Sequence, residues 1–400
     1  MGDPPVLRAG SEADALAASG GNLMLIGVPA EAESSETRVA ATPETVKKFI
    51  ALGAEVAIER GAGLKAGVVD ADYSTAGARL VGADEALGAD VVLKVRRPTP
   101  AELPMLKSGA LVLAIMDPYG HSEAIEGMAK TGAAAFAMEL MPRITRAQVM
   151  DVLSSQANLA GYRAVIEAAE TFGRAFPMMM TAAGTIPAAK VFVMGVGVAG
   201  LQAIATARRL GAVVTATDVR PATKEQVESL GAKFLAVEDE EFKQAETAGG
   251  YAKEMSDGYK AKQAELVAAH IAKQDVVVTT ALIPGRAAPK LVTADMVRSM
   301  RPGSVIVDLA VERGGNCELS KAGEIVVTDN GVRIVGYSNV TRLAATASAL
   351  YARNLYAFVE TMIDKTSKAL AVNWDDELVK ATCLTRDGAI VNPNFQPKQA

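Results

Sequence analysis

The stretch that decides the fold is KVFVMGVGVAGLQAIATARRLGAVVTATDVR, residues 190–220. Its first apolar run, Val191–Met194, is typical of a buried parallel strand. A helical pattern follows and ends at Gly211, where a helix commonly stops. A second apolar run, Val213–Thr217, is followed directly by Asp218. Strand, helix and strand in this order predict the first βαβ unit of a dinucleotide-binding fold.

Three glycines with the spacing GxGxxG join the first strand to the helix. Gly195 allows a tight turn, Gly197 lets a pyrophosphate approach the backbone, and Gly200 lets the helix pack close to the strand. The helix start offers free N–H groups to the phosphates. Asp218 is placed to accept bonds from a ribose diol and to repel a 2′-phosphate, whereas nearby Arg220 weakens that preference. The pattern predicts an NAD site; a glycine-rich turn without a ligand is the alternative.

The composition predicts a two-domain globular protein. Half of the 400 residues are hydrophobic, 22% are charged and the net charge is −5. No basic run indicates a nucleic-acid partner, and no uncharged apolar segment is long enough to suggest direct membrane insertion. Residues 1–21 lack a signal-peptide core and are expected to be a flexible extension. With two cysteines and two histidines, we expect neither a disulfide framework nor a metal site.

Alternating strand and helix patterns on both sides of residues 190–220 predict an α/β protein with two Rossmann-like, doubly wound parallel sheets joined by long helices. Strands are expected near residues 23–28, 55–58, 90–95, 110–115 and 134–138, and then near 191–194, 213–217, 233–236, 275–279, 304–308 and 333–335. The predicted domains are 22–157 with 345–400, and an NAD(H)-binding domain over 158–344. The polar segment 238–265 is long for a βα connection and is expected to be a mobile loop.

One long helix is predicted over residues 147–172 as the interdomain connector, with a second over 342–363 returning to the first domain. Thr145 and Gln148 have the spacing of a capping box. The polar residues at the start of the connector are Arg143, Gln148, Asp151 and Ser154. The last three are spaced three apart and are expected on one helix face, where they suit a carboxamide and a ribose. A capped helix start with solvated polar residues fits the spacing equally well.

Three further places are candidates for ligand contacts. Arg38 and Lys94 follow or end predicted strands, at the edge that faces the ligand crevice in open α/β sheets, although ordinary surface cations are the simpler interpretation. Gly250 and Tyr251 lie in the polar loop and suggest either a flap over a nucleotide or an ordinary loop tip. Leu282 lies just after a strand, in a segment that suits a nucleotide contact or a sheet-edge turn.

Taken together, these segments resemble the NAD(H)-binding component, domain I, of proton-translocating NAD(P) transhydrogenase, and the related alanine dehydrogenases. The matching stretches include GVPAEAESSETRVAATPETVKKF, FPMMMTAAGTIPAAKVFVMGVGVAGLQAIATARRLGA, TTALIPGRAAPKLVT and MRPGSVIVDLAVERGGNC. The resemblance extends from about residue 22 to the C-terminus. PRITRAQVMDVLSSQANLAGYRA together with ETAGGYAKEM is typical of the transhydrogenases.

The resemblance implies roles for matching residues. It places Arg143, Gln148, Asp151 and Ser154 at the nicotinamide end, Val198, Asp218, Val219 and Arg220 on the adenosine side, Gly250 and Tyr251 in a mobile closing loop, and Gln263 and Leu282 among the nucleotide contacts. It also implies a homodimer that binds NAD(H) and passes hydride to NADP(H) on a partner component, domain III. A membrane component, domain II, would couple this to proton translocation. The chain would then be cytoplasmic, attached peripherally to the inner membrane and active only with its partners.

Two other functions remain open at this point. Arg38 and Lys94 match positions that bind the substrate carboxylate in alanine dehydrogenases. Those enzymes also use a histidine shortly after the lysine motif, but LVLAIMDPYG contains none and His121 lies just beyond it. An alanine-dehydrogenase-like amino-acid dehydrogenase is therefore the less favoured alternative. A non-catalytic NAD-binding regulatory module is the third.

Overall fold

A computed structural model describes residues 23–243, 255–283, 285–337 and 340–396. Its strands are β1 Leu25–Val28, β2 Glu55–Glu59, β3 Arg79–Val81, β4 Val91–Arg96, β5 Leu111–Ile115, β6 Ala134–Ala137, β7 Met179–Thr181, β8 Gly184–Ile186, β9 Lys190–Met194, β10 Val213–Thr217, β11 Lys233–Phe234, β12 Val276–Thr279, β13 Val305–Asp308, β14 Ile325–Val327, β15 Arg333–Val335, β16 Cys383–Arg386 and β17 Ala389–Ile390.

The α-helices are α1 Pro43–Ala51, α2 Asp70–Thr75, α3 Ala83–Leu87, α4 Ser122–Lys130, α5 Val152–Thr171, α6 Val198–Arg209, α7 Thr223–Ser229, α8 Glu240–Lys243, α9 Asp257–Ile271, α10 Ala294–Ser299, α11 Ala344–Glu360 and α12 Glu377–Thr382. Short 3₁₀ turns, such as Thr145–Met150 and Thr341–Leu343, precede the two longest of these helices. In the chain ranges given above, every helix is too short or too polar to cross a bilayer.

Two large sheets organise the chain. The first sheet has the order β17-β16-β6-β5-β4-β1-β2-β3, and the second has the order β11-β10-β9-β12-β13-β15-β14. Counted along the chain, both contain the order 3-2-1-4-5 of a doubly wound sheet, with a switch point between β1 and β4 and between β9 and β12. The predicted α/β fold class is confirmed. Antiparallel strands β14, β16 and β17 lie at sheet edges, which the parallel prediction did not include.

The central strands are buried on both faces, as parallel sheets covered by helices require. Every residue of β12 and β13 is buried, and only the last residue of β4 is partly exposed. Separate apolar clusters fill the two faces of each sheet, with Phe136 in the first sheet and Phe192 in the second among the fully buried side chains. The apolar runs of the sequence therefore form the core strands.

The two long helices α5 and α11 are hydrogen-bonded to each other. Ser155 Oγ donates to Asn354 Oδ1 at 2.7 Å, and Gln156 Nε2 donates to the Ala347 carbonyl at 3.1 Å. After α11 the chain returns to the first sheet, where β16 pairs antiparallel with β6. The first sheet is thus built from both ends of the chain, although the residue boundaries of the two domains stay a prediction.

The connector helix begins later than expected. Residues Thr145–Met150 form a 3₁₀ turn, and Asp151 has an extended backbone that separates this turn from α5. The predicted capping box at Thr145 is wrong, because Asp151 caps the helix by accepting from the Ser154 N–H at 2.9 Å. Consequently Gln148, Asp151 and Ser154 do not share one helix face.

Other elements differ by a few residues or escaped the sequence analysis. Helix α11 ends at Glu360 and is preceded by its own 3₁₀ turn. The elements that escaped are β3, α3, β14 and the hairpin β7–β8. Their strands have only three residues each, and both hairpin strands are exposed along their whole length, so no hydrophobic period marks them.

Candidate functional site

The turn from β9 into α6 admits no side chain at two of its three glycines. Gly195 has φ +99°, and a Cβ built there would lie 2.6 Å from the Thr280 hydroxyl oxygen. That hydroxyl donates to the Gly195 carbonyl at 3.0 Å. A Cβ built on Gly200 would overlap the same carbonyl oxygen. The turn is therefore closed tightly, as a GxGxxG turn requires.

The third glycine faces open space. Gly197 is the N-cap residue of α6, and a Cβ built there would meet no atom within 4 Å. As a glycine, it supplies no side chain to the first-turn N–H groups, which have no acceptor within the helix. Open space beside unsatisfied N–H groups at the positive end of a helix fits a pyrophosphate. The residues present thus fit the predicted dinucleotide.

Asp218 ties the glycine turn to the end of β10. Its Oδ2 accepts from the Val196 N–H at 2.7 Å, and its Oδ1 accepts from the Arg220 N–H and Nε, both at 2.9 Å. Arg220 also reaches the Val196 carbonyl with Nη2 at 3.2 Å. The nearly buried carboxylate is held in place before any ligand arrives. A ribose diol at this acid would share its oxygens with the Arg220 guanidinium.

Exposed aliphatic side chains flank the turn. Val198 is 39% exposed, Val219 52% and Leu282 52%. Buried Asn316 holds the segment that carries Leu282, because its side-chain amide bonds both the N–H and the carbonyl of Ala281 at 3.0 and 2.9 Å. Exposed branched side chains next to a phosphate-binding turn suit the flat face of a base. The sequence analysis missed Asn316; its only signal was a lone polar residue at the end of VERGGN.

The amide of Gln263 is engaged within the protein. Its Oε1 accepts from the Val237 N–H at 2.9 Å, and its Nε2 donates to Thr217 Oγ1 at 3.1 Å. These bonds fasten α9 to the end of β10. The predicted nucleotide contact of Gln263 would require it to give up one of them. Gly250 and Tyr251, the predicted flap, lie outside the described residues and stay predictions.

The second cluster of candidates surrounds the start of α5. Ser154 Oγ donates to Asp151 Oδ2 at 2.5 Å, so these two side chains act as one unit. Arg143 and Gln148 are exposed, and in the part of the chain that the structure describes neither side chain makes a hydrogen bond. The amide and the guanidinium thus stand ready for a ligand. The cluster is joined to the glycine turn by α5 itself, which packs against α6 at Gly161.

Arg38 and Lys94 are buried ion-paired residues, so their interpretation as surface cations is wrong. Arg38 donates to Glu36 from Nε and Nη2 at 2.7 and 2.6 Å, and its Nη1 donates to Gln156 Oε1 at 2.9 Å. Lys94 Nζ lies 2.7 Å from Glu102 Oε1. The charges at the carboxyl edge of the first sheet therefore neutralise each other.

Two acids in this edge have shifted pKa values. Burial raises the pKa of Glu31 to about 7, against the opposing effects of Lys94 and of N–H bonds from Val95 and Arg96. Burial also opposes ionisation of Glu36, but the hydrogen bonds and charge of Arg38 outweigh it, and the pKa of Glu36 lies below its usual value. Both acids bind backbone or guanidinium groups of their own chain.

The two sheets touch across the cleft on one side. Asp117, which follows β5, forms an ion pair with Arg313, which follows β13, and lies 3.3 Å from His121 Nε2. Close by, a Cβ built on Gly285 would collide with the Tyr119 ring. His121 is thus engaged with Asp117. Among the residues the structure describes, no group of three His, Cys, Asp or Glu side chains is arranged to hold a metal ion.

A doubly wound sheet with an open GxGxxG turn and an acid after the next strand defines a nicotinamide-dinucleotide-binding protein. This chain belongs to the alanine dehydrogenase/PNT family, whose N-terminal domain matches residues 27–160 and whose C-terminal domain matches residues 164–393.

The similarity to known proteins covers nearly the whole chain. The first of the polypeptides that make up NAD(P) transhydrogenase subunit alpha in Rhodospirillum rubrum is 57% identical over 92% of this chain and 98% of its own length. The crystal structure of transhydrogenase from Sinorhizobium meliloti is 61% identical, covers 92% of this chain and 100% of its own, and has a TM-score of 0.84. Alanine dehydrogenase of Mycobacterium tuberculosis is 32% identical over 74% of this chain and 75% of its own. The predicted resemblance is confirmed.

Proposed function

We propose that this chain is the NAD(H)-binding component of a proton-translocating NAD(P) transhydrogenase. It would hold NADH while hydride passes directly to NADP⁺ on a partner component, domain III, and a membrane component, domain II, would couple this transfer to proton translocation. The names of the relatives support the proposal, since a polypeptide that is one portion of a subunit alpha implies further subunits. One observation about the molecule carries it: one sheet has an open dinucleotide turn, and the other has a carboxyl edge full of paired charges.

The paired charges argue against an amino-acid dehydrogenase. A small carboxylate substrate needs a cation that its own protein leaves uncompensated. At the edge of the first sheet, Arg38 and Arg96 both bond Glu36, and Lys94 is bonded to Glu102. Binding a carboxylate here would mean breaking a buried pair, which costs about 3–5 kcal/mol. The hydride acceptor therefore comes from outside the chain, and the alanine-dehydrogenase-like alternative is disfavoured.

The proposal assigns roles to groups already described. The first-turn N–H groups beside Gly197 would hold the pyrophosphate, and Asp218 the adenosine ribose. Exposed Val198, Val219 and Leu282 would flank the adenosine, with Arg220 beside it. When bound, the nicotinamide supplies the hydride. Arg143, Gln148 and the Asp151–Ser154 pair would orient its carboxamide and ribose.

The catalytic contribution of the chain would be positioning and exclusion of water. Direct hydride transfer between two rings in contact needs no covalent intermediate and no general acid. Gly250 and Tyr251 would form the flap that closes over the bound nucleotide, and Gln263 would move from its internal bonds to join it. Because the acceptor lies on another component, the chain would be active only when that component is docked.

The proposal includes an assembly. The chain would form a homodimer and would lie on the cytoplasmic face of the inner membrane, attached through the membrane component. NADP(H) would belong to the partner.

The decisive experiment measures hydride transfer from NADH to an NADP⁺ analogue, first with this chain alone and then with a recombinant NADP(H)-binding domain III added. Activity in the mixture only is the expected result. Oxidation of NADH by pyruvate plus ammonium with this chain alone would establish the amino-acid dehydrogenase instead. NADH binding without transfer in either assay would leave a regulatory module.

A further inference from the structure

The contact between the connector helix α5 and the phosphate-binding helix α6 depends on one missing side chain. A Cβ built on Gly161 would lie 2.0 Å from the Ala199 carbonyl oxygen and 2.8 Å from its carbonyl carbon. Ala199 is in the first turn of α6, directly after Val198. The backbone of α5 therefore rests on the same turn that is proposed to bind the pyrophosphate.

Local conformation gives no reason for glycine at this position. Gly161 is buried in the middle of a 20-residue helix and does not have a positive φ. Glycine inside a helix costs about 1 kcal/mol relative to alanine. Helix propensity alone thus favours alanine here, and only the approach of α6 excludes it.

Both ends of α5 are fixed to other parts of the molecule. Near its start, Ser155 bonds Asn354 of α11, while Gln156 bonds Arg38 of the first sheet region. Farther along, Ala164, Val165 and Ala168 are buried in the same apolar cluster as residues of α6 and the second sheet. At 1.5 Å per residue, Asp151 lies about 15 Å along the axis from Gly161. The helix is thus a rigid spacer between the two candidate clusters.

We propose that Gly161 is a positioning residue of the dinucleotide site. By allowing α5 to seat on the first turn of α6, it fixes the separation between the phosphate-binding N–H groups and the Asp151–Ser154 pair. The inference rests on the proposed function, because it takes a dinucleotide to span these two clusters. A Cβ at Gly161 must retreat from 2.0 Å to at least 3.0 Å, so the helices part by about 1 Å.

The test is the variant Gly161→Ala, compared with wild type in three measurements on the chain alone: NADH affinity, ADP affinity, and urea unfolding. A displacement of about 1 Å in a binding site costs up to about 100-fold. We expect NADH to bind about 10- to 100-fold more weakly, and ADP, which does not reach the start of α5, to lose clearly less. The ratio of the two affinities reports position, since partial unfolding lowers both alike.

Gly127→Ala is the matched control. Gly127 lies inside helix α4, and a Cβ there meets only the Leu103 Cδ1 methyl at 3.0 Å, which can rotate aside. This variant should bind both ligands as wild type does. Unchanged NADH affinity in Gly161→Ala, or equal losses for NADH and ADP, would overturn the positioning role and leave the proposed function intact. Loss of a cooperative urea transition would overturn it too, because the effect would then be global. Wild-type protein that binds neither ligand would overturn both.

Discussion

The first and second sheets share a strand order and one anchoring device, and they differ in what occupies the switch point. In the second sheet, Asp218 after β10 accepts from the Val196 N–H, two residues beyond β9. In the first sheet, Glu59 at the end of β2 accepts in the same way from the Ala30 N–H at 2.7 Å, two residues beyond β1. Each acid thus fixes the chain where it leaves the first strand of its sheet.

Beyond that shared anchor the two edges diverge. The chain after β9 turns at once into a helix and leaves space beside Gly197. The chain after β1 runs through Glu31, Glu36 and Arg38 before α1 begins at Pro43, and these side chains occupy the edge with buried pairs. The same topology therefore gives a ligand site in one sheet and an ionic core in the other, which shows that the fold alone does not place function.

Removing the cation from the first edge tests whether it is structural. Lys94→Met leaves Glu102 and Glu31 buried without a counter-charge, so we expect a loss of about 3–5 kcal/mol in the free energy of unfolding and unchanged NADH affinity. Urea titration and NADH binding measure the two quantities. Lys107→Met, which removes an exposed pair with Asp90, should cost under about 1 kcal/mol. A Lys94→Met protein with normal stability and weakened NADH binding would place Lys94 in the nucleotide site.

The raised pKa of Glu31 predicts a pH dependence of stability. Its pKa is about 7 in the folded chain against 4.5 for an ordinary glutamate, so the folded state binds the proton more tightly and stability falls as pH rises between these values. Relative to Glu31→Gln, wild type should lose about 2–3 kcal/mol between pH 5 and pH 8. Unfolding both proteins at each pH gives the difference. The exposed-site variant Glu126→Gln should show no such trend, and a flat difference for Glu31→Gln would contradict the shift.

Two glycines separate packing from ligand binding. A Cβ on Gly27 in β1 would overlap the Ala86 carbonyl oxygen, just as one on Gly200 would overlap that of Gly195. Both alanine variants should lose about 1–3 kcal/mol of stability through overpacking. Only Gly200→Ala should also weaken NADH binding, by about 100-fold, because its strain falls on the phosphate-binding turn. Equal NADH affinity of the two variants, measured by fluorescence titration, would remove the turn from the site.

The smallest expected effect compares the two anchoring acids. Asp218→Asn keeps an acceptor for the Val196 N–H but removes the charge that repels a 2′-phosphate. We expect NADH to bind about 10-fold more weakly and NADPH relatively better, a change of about 1.4 kcal/mol in discrimination. The matched variant Glu59→Gln should leave both affinities as they are. If both variants shift the NADH to NADPH ratio equally, Asp218 has no special role in selecting the dinucleotide.

The sequence was most informative where long apolar runs meet glycine. The core strands of the second sheet and the GxGxxG turn were predictable, because burial on both faces and close helix approach each demand particular residue types. The start of α5 was not. Thr145 with Gln148 and Asp151 with Ser154 both have cap spacing, and only the three-dimensional course of the chain selects the aspartate.

The ionic edge of the first sheet was unpredictable for a related reason. Arg38, Glu36 and Gln156 come together from segments far apart in the chain, and no local pattern records such a meeting. Gly161 is similar, since its neighbour Ala199 is brought to it by the packing of two helices. Local periodicity gives the elements, while partners over long distances decide which polar residues stay available for a ligand.

The antiparallel pairing of β16 with β6 has a consequence for folding during synthesis. Thr385 bonds Ala135 across a separation of 250 residues, so the first sheet cannot be completed until nearly the whole chain has left the ribosome. The second sheet needs nothing beyond β15 and can close earlier. At about 5–20 residues per second, the interval lasts several seconds. During that time β6 presents an unpaired edge, so a nascent chain stalled before Cys383 should be the form most prone to associate with other chains.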